Sequence, residues 1–294
     1  MAPVPDAGAL LGIGAPRRFF EIRFWNRFQR LVTEQKPMSK AVEIAIVASA
    51  FGVDAVRASG HRKWAEASRR AGAAGFEVRR ELFGQEADAA PARLAALGEQ
   101  IAELGLWSVY SSPSSLYADD GQLDTPALRR ALDEAVALGA RFVKLQLGGF
   151  VREADGDAIA AQLRGADVRL VVENGQLAQG GSLRQFVELF AALENEGHAD
   201  LVGMTFDVGN WAWCGVPPLE AAVALAPYVE YVHCKSAVGE GARRFAAAPA
   251  ADDARFAAVL EQLPRDVPRG IEFPLDAACI DEDATRRVAW LAAA

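Results

Sequence analysis

Four residues able to hold a metal ion or carry a proton stand at the ends of four consecutive β-rich runs. Glu173 lies in "DVRLVVEN", Asp207 in "LVGMTFDVG", His233 in "VEYVHCK" and Glu272 in "RGIEFP". A carboxylate directly behind Leu170, Val171 and Val172 makes sense only at a mouth where other strands end in the same way, and here three others do. Three carboxylates and one imidazole form an oxygen-rich set suited to a divalent ion such as Mn2+, Mg2+ or Co2+, and Zn2+ also accepts such ligands. Two of the four are glutamates that would flank the ion and each reach a bound substrate, which favours proton transfer next to a carbonyl. Singly, a glutamate at a strand end is ordinarily solvated and a histidine ordinarily structural. Their joint occurrence on successive strands is what points to a site. A neutral ligating histidine also needs an acceptor for its second ring nitrogen, and the sequence does not identify that partner.

The elements that must position these residues alternate eight times. Strand-like runs cover 42–51, 75–82, 106–112, 141–147, 167–174, 201–209, 229–235 and 269–274. Helix-like runs cover 61–73, 91–104, 124–138, 155–164, 181–196, 217–226, 252–263 and 281–293. Pro126, Pro217 and Pro218 sit where helices should begin, and Gly105, Gly139 and Gly165 just past helix ends. Strands separated by helices pair in parallel, because each parallel neighbour needs a crossover. Eight such units predict a single-domain (β/α)8 TIM barrel. An open doubly wound sheet would want a glycine-rich phosphate turn after its first strand, and "SAFGVDAVRASG" lacks one. In a barrel the strand-to-helix loops share the catalytic face, the most elaborate being 111–121 and 237–250.

Strand periodicity adds interior charges. In "FEVRREL" Phe76, Val78 and Leu82 share one face and Glu77, Arg79 and Glu81 the other; in "FVKLQL" Lys144 and Gln146 oppose Val143, Leu145 and Leu147. If the apolar faces meet the helices, the charges point into the barrel. Glu77 and Arg79 then serve either an ion-pair network or a substrate. Lys144 and Lys235 are candidates to grip an anionic or hydroxylated substrate, with the carboxylates as partners. Trp211 and Trp213 offer an apolar wall for a sugar ring or pack their loop. His61 reads as an exposed residue at a helix start, His198 as structural, and Cys234 as core.

Composition bounds the remaining classes. Hydrophobic residues make up 51% of the 294, with a formal net charge of −8. No run approaches the roughly 18 apolar residues of a membrane helix, and the acidic balance is the wrong sign for tracking nucleic-acid phosphates. Three cysteines without CxxC spacing suggest neither a disulfide framework nor a zinc knuckle, which fits the cytoplasm. Residues 1–37 differ from the rest, with six basic and three acidic residues among crowded aromatics. They read as an appendage, helical or non-native, ahead of a barrel spanning 38–294. "PRRFFEI" has the outline of a twin-arginine export signal, but Arg23, Arg27 and Arg30 occupy the place of its apolar stretch.

"GFEVRRELF", "VVENGQ", "TFDVGNW", "YVHCKS" and "IEFPL", in that order, resemble the xylose-isomerase-like barrel superfamily of sugar phosphate isomerases and epimerases. The resemblance covers about residues 40–293. It implies a divalent metal, Mn2+ first among the candidates, held by Glu173, Asp207, His233 and Glu272. It also implies a carbohydrate substrate, with Glu173 and Glu272 exchanging a proton through an enediolate. Arg79, Lys144, Asn210, Trp211 and Lys235 are the residues expected at the substrate. Asn210 stands where ketose 3-epimerases of the superfamily carry His, Gln179 where they carry Glu, and Ser236 ends a pattern that often runs HxKD, so the substrate pocket departs from theirs. A metal-dependent dehydratase on the same site is the alternative. A non-catalytic sugar-binding barrel would be favoured by loss of a ligand, and none is lost. No nucleic-acid or membrane partner is expected, and a homo-oligomer is left open.

Overall fold

The computed structural model describes residues 41–294; the appendage expected over 1–37 lies outside the described residues. β1 (Ile44–Val47) is followed by helices α1 (Val53–Ser59) and α2 (His61–Arg70), and β2 (Gly75–Arg79) by α3 (Pro91–Glu103). The alternation continues through β3 (Trp107–Tyr117), α4 (Thr125–Leu138), β4 (Phe142–Gly148), α5 (Gly156–Leu163), β5 (Arg169–Glu173) and α6 (Leu183–Asn195). β6 (Gly203–Asp207) runs into a short helix, α7 (Val208–Trp213), then α8 (Pro218–Leu225). β7 (Val229–Cys234) precedes an antiparallel hairpin of β8 (Ser236–Val238) and β9 (Phe245–Ala247), and α9 (Ala254–Gln262), β10 (Arg269–Ile271) and α10 (Ile280–Ala293) follow.

Eight parallel strands close into a barrel in the order β1-β10-β7-β6-β5-β4-β3-β2, so the expected fold is the observed one. The period-two reading of the strands holds. Phe76, Val78, Val143, Leu145 and Leu147 belong to the large core between strands and helices. Inside the barrel a second apolar cluster of Ala45, Val109, Phe142, Val171 and Tyr231, flanked by Trp107, fills one layer. Phe142 and Tyr231 stack there at 6.1 Å. A plug of this kind closes the barrel below the polar residues, and burying each large apolar side chain contributes about 1.5–3 kcal/mol.

Local signals work as expected. Asp124 accepts a hydrogen bond from the Ala127 amide ahead of Pro126, and Gly139 ends α4 in the left-handed region with φ 68°. Among the described residues no helix is long and apolar enough to cross a membrane. The structure differs from the sequence reading in several places: β1 is shorter than the run 42–51, β3 continues to Tyr117, and α1 and α7 lie where no helix is expected. The connection over 237–250 contains the β8–β9 hairpin, and His61 is buried at 2% exposure, with its ring against Phe83 and its Nε2 accepting the Arg79 amide. A helix start is ordinarily wet. This one is roofed by the segment after β2, which pattern within the helix cannot reveal.

Candidate metal centre and active site

The strand register delivers the four ligands to one place. Gln146 pairs with Glu173, Glu173 with Thr205, Asp207 with His233 and His233 with Gly270, so the ligand-bearing positions follow one another around the rim. Glu272 stands just beyond β10, its amide donating to the Cys234 carbonyl. One ligand atom from each of Glu173, Asp207, His233 and Glu272 lies within 4.8 Å of the others. His233 Nδ1 is 2.7 Å from Glu173 Oε1, 2.9 Å from Glu272 Oε2 and 3.7 Å from Asp207 Oδ2. Ligands about 2.1 Å from a central ion are themselves roughly 3 Å apart, so the spacing is that of a coordination shell.

Three of the four ligand side chains have one atom spent and another offered, whereas Glu272 has Oε1 engaged by Arg79 and Oε2 by Lys235. Glu173 Oε2 takes Lys144 Nζ at 2.9 Å and Gln146 Nε2 at 2.8 Å, leaving Oε1. Asp207 is the N-cap of α7: its Oδ1 accepts the Asn210 amide at 2.9 Å, leaving Oδ2. His233 Nε2 meets Glu77 Oε2 at 2.7 Å, leaving Nδ1. Glu173 Oε1, Asp207 Oδ2 and His233 Nδ1 are buried without a hydrogen bond. Buried polar atoms of that kind are costly unless something else satisfies them. Lys235 Nζ lies 2.7 Å from Asp207 Oδ2, an ion-pair approach without hydrogen-bond alignment. The donor set fits a divalent metal ion.

Electrostatics agree. The connected network contains five carboxylates, Glu77, Glu81, Glu173, Asp207 and Glu272, but only three permanent cations, Arg79, Lys144 and Lys235. It is two positive charges short of neutrality, the charge of a divalent ion. Burial alone would raise Glu77, but His233 and Lys144 hold it at about 2. Burial likewise opposes ionisation of Glu272, which Lys235, His233 and Arg79 pull well below its ordinary range. Asp207 goes the other way: burial outweighs Lys235 and lifts it. Burial pushes the His233 imidazole down, yet Glu77, Glu272 and Glu173 carry it well above its usual value. The site therefore favours a positive charge at Nδ1, which a metal supplies as a proton does.

The remaining expected site residues divide by depth. Lys144 is enclosed between Glu77 at 3.0 Å and Glu173. Lys235 bridges Asp207 and Glu272, both at 2.7 Å. Arg79 is the most exposed of the three cations and holds Glu272 Oε1 at 2.6 Å while also pairing with Glu81. Asn210 donates to the Asn174 carbonyl at 2.7 Å and accepts from Gln176. Trp211 is fully buried against Phe186 and Phe206, and Trp213 is half-buried. Three further residues hold the ligands in place. Glu77 supplies the partner for His233, Gln146 holds Glu173, and Asn174 clamps Asp207 through the backbone amide at 2.8 Å and carbonyl at 3.0 Å. Period-two alternation marks Glu77 and Gln146 as inward-facing but does not say what they touch.

The model of the xylose isomerase-like TIM barrel family matches residues 65–287, more than half of the chain. No curated protein sequence matches significantly. Among solved structures, a D-allulose 3-epimerase from Methylomonas sp. in complex with D-allulose is similar at 18% identity and TM-score 0.59, covering 86% of this chain and 97% of its own. A probable 3-DHS dehydratase involved in petrobactin synthesis from Bacillus anthracis matches at 13% identity and TM-score 0.57, covering 85% and 98%. An IOLI protein with a bound zinc atom matches at 14% identity and TM-score 0.61, covering 85% and 96%. At these identities the likeness is one of fold.

Proposed function

We infer the reaction from family and site together: the chain belongs to the xylose isomerase-like TIM barrel family, and its ligand set carries two glutamates in positions to move protons. The reading is a divalent-metal-dependent isomerase or epimerase acting on a sugar, sugar acid or keto-polyol through an enediolate. Glu173, Asp207, His233 and Glu272 would hold a divalent ion, for which Mn2+ suits the oxygen-rich set, and the ion when bound would supply Lewis-acid polarisation of a substrate carbonyl.

The observation that carries the reading is the independent anchoring of the two glutamates. Glu173 is held from below by Lys144 and Gln146 on β4; Glu272 is held by Arg79 on β2 and by Lys235 just after β7. They approach the centre from β5 and from the end of β10, so one can take a proton from the carbon next to the carbonyl while the other returns one. Neighbouring cations keep both ionised, as a base requires. Such positioned acid-base help is worth about 10²- to 10⁴-fold. Arg79, the most exposed of the three cations, and Lys235, which bridges Asp207 and Glu272, are the groups proposed to hold substrate oxygens.

The test is a panel of ketoses, sugar acids and keto-polyols incubated with Mn2+-loaded protein in D2O and followed by NMR. Deuterium at a carbon beside the carbonyl of an isomerised product supports the reading. Loss of water from substrate would assign the site to a dehydratase instead.

A further inference from the structure

Glu77 and Lys144 are fully buried, come from β2 and β4, and form a closed ring with two of the metal ligands. His233 Nε2 meets Glu77 Oε2 at 2.7 Å; Glu77 Oε1 is 3.0 Å from Lys144 Nζ; Lys144 Nζ is 2.9 Å from Glu173 Oε2; and Glu173 Oε1 returns to His233 Nδ1 at 2.7 Å. The strands that contribute lie on different sides of the barrel, so the ring ties β2, β4, β5 and β7 together across the interior. The Lys144 side chain is 1% exposed, and its ion-pair partners are the two carboxylates of this ring.

Resting on the metal-site reading above, we infer that Glu77 and Lys144 are positioning residues that set the tautomer of His233 and the rotamer of Glu173. A carboxylate at Nε2 keeps the proton on that nitrogen and turns the Nδ1 lone pair to the centre. Lys144 is what makes the carboxylate admissible there: it neutralises Glu77 in a dry interior and with the same ammonium group holds the far oxygen of Glu173, so that Oε1 faces the ion. Gly270 completes the arrangement. It pairs with His233 across β10 and β7, and a Cβ there would stand 2.3 Å from the Tyr231 hydroxyl and 3.0 Å from His233 Cδ2, so a side chain at this position would displace Tyr231 and crowd the His233 ring.

The chain has three histidines, so selective ¹⁵N-histidine labelling resolves each ring. In the Zn2+-loaded full-length protein, the inference expects His233 to carry its proton on Nε2 with Nδ1 bound to metal. Replacing Glu77 alone would strand the Lys144 charge, so two charge-balanced doubles are compared by equilibrium dialysis with Mn2+ and Zn2+. Glu77→Leu with Lys144→Met removes the acceptor, and metal affinity should fall tenfold to a hundredfold. Glu77→Gln with Lys144→Met retains an acceptor oxygen and should recover the Nε2–H tautomer and the part of the loss that belongs to it, the remainder being the hold of Lys144 on Glu173. Equal affinity in parent and both doubles, equal losses in both, or a parent histidine protonated on Nδ1 overturns the inference; if the apolar double does not fold, the parent tautomer and the acceptor-retaining double decide. A parent that binds no metal would overturn the metal-site reading instead. The Nε2 proton of metal-free His233, and its shift on substituting Glu77, still reports the Glu77 contact in that case.

Discussion

Acidification should destabilise this barrel through a histidine that takes no part in the metal centre. His61 opens α2, is buried, and accepts the Arg79 amide through Nε2 at 3.3 Å, so a proton added at that nitrogen would meet another donor. Burial lowers the imidazole to about 4 from 6.5, against a smaller upward pull from Asp88. A histidine depressed in the folded state stays neutral while the unfolded chain takes up a proton, so its contribution is complete above pH 6.5 and is lost as pH falls towards 4. The full shift corresponds to about 3 kcal/mol, of which roughly 2 kcal/mol is gone by pH 5. Asp207, His233 and the other buried groups are common to the parent and a His61 variant, so their contributions cancel in a comparison over the interval from pH 7.5 to 5. Urea denaturation of metal-free protein at the two pH values, compared with His61→Gln, isolates the effect because glutamine can still accept the Arg79 amide. The parent should lose about 2 kcal/mol more than the variant over the interval. Equal losses, or a His61 ring that titrates near 6.5 by NMR, would refute the burial argument.

Other outcomes follow from the same contacts. Gly270→Ala forces Tyr231 or His233 to move and should cost about 1–3 kcal/mol of stability while weakening Mn2+ binding in equilibrium dialysis. Asn174→Ala strands the amide and carbonyl of Asp207 and should destabilise by about 1–3 kcal/mol in thermal or urea melts, with reduced metal affinity. Glu173→Gln keeps an oxygen for the metal but not a base, so bound Mn2+ should survive in elemental analysis while deuterium exchange into substrate is lost.

The ligand set was legible because it needs only local information: where a strand ends and what residue stands there. Glu173, Asp207 and His233 lie at or near the ends of their strands, and Glu272 one residue past β10, so counting alternations sufficed. Interior charge was legible for a similar reason, since period two marks Glu77 and Lys144 as facing away from the helices. What could not be read is pairing across the barrel. His233 and Glu77 are separated by 156 residues and sit on strands that are not neighbours in the sheet, so no local pattern links them. The burial of His61 was hidden for the same reason, because its cover comes from the segment after β2. Asn174 was overlooked as the residue behind a ligand, although an amide in that position is well suited to clamp a neighbouring strand end.

The central claim is that Glu173, Asp207, His233 and Glu272 hold one divalent ion, and elemental analysis tests it most directly. The purified protein and a His233→Ala variant would each be stripped, reloaded with Mn2+ and freed of excess. One ion per chain in the parent and none in the variant is the predicted result; a parent that retains no metal under any loading would contradict the account.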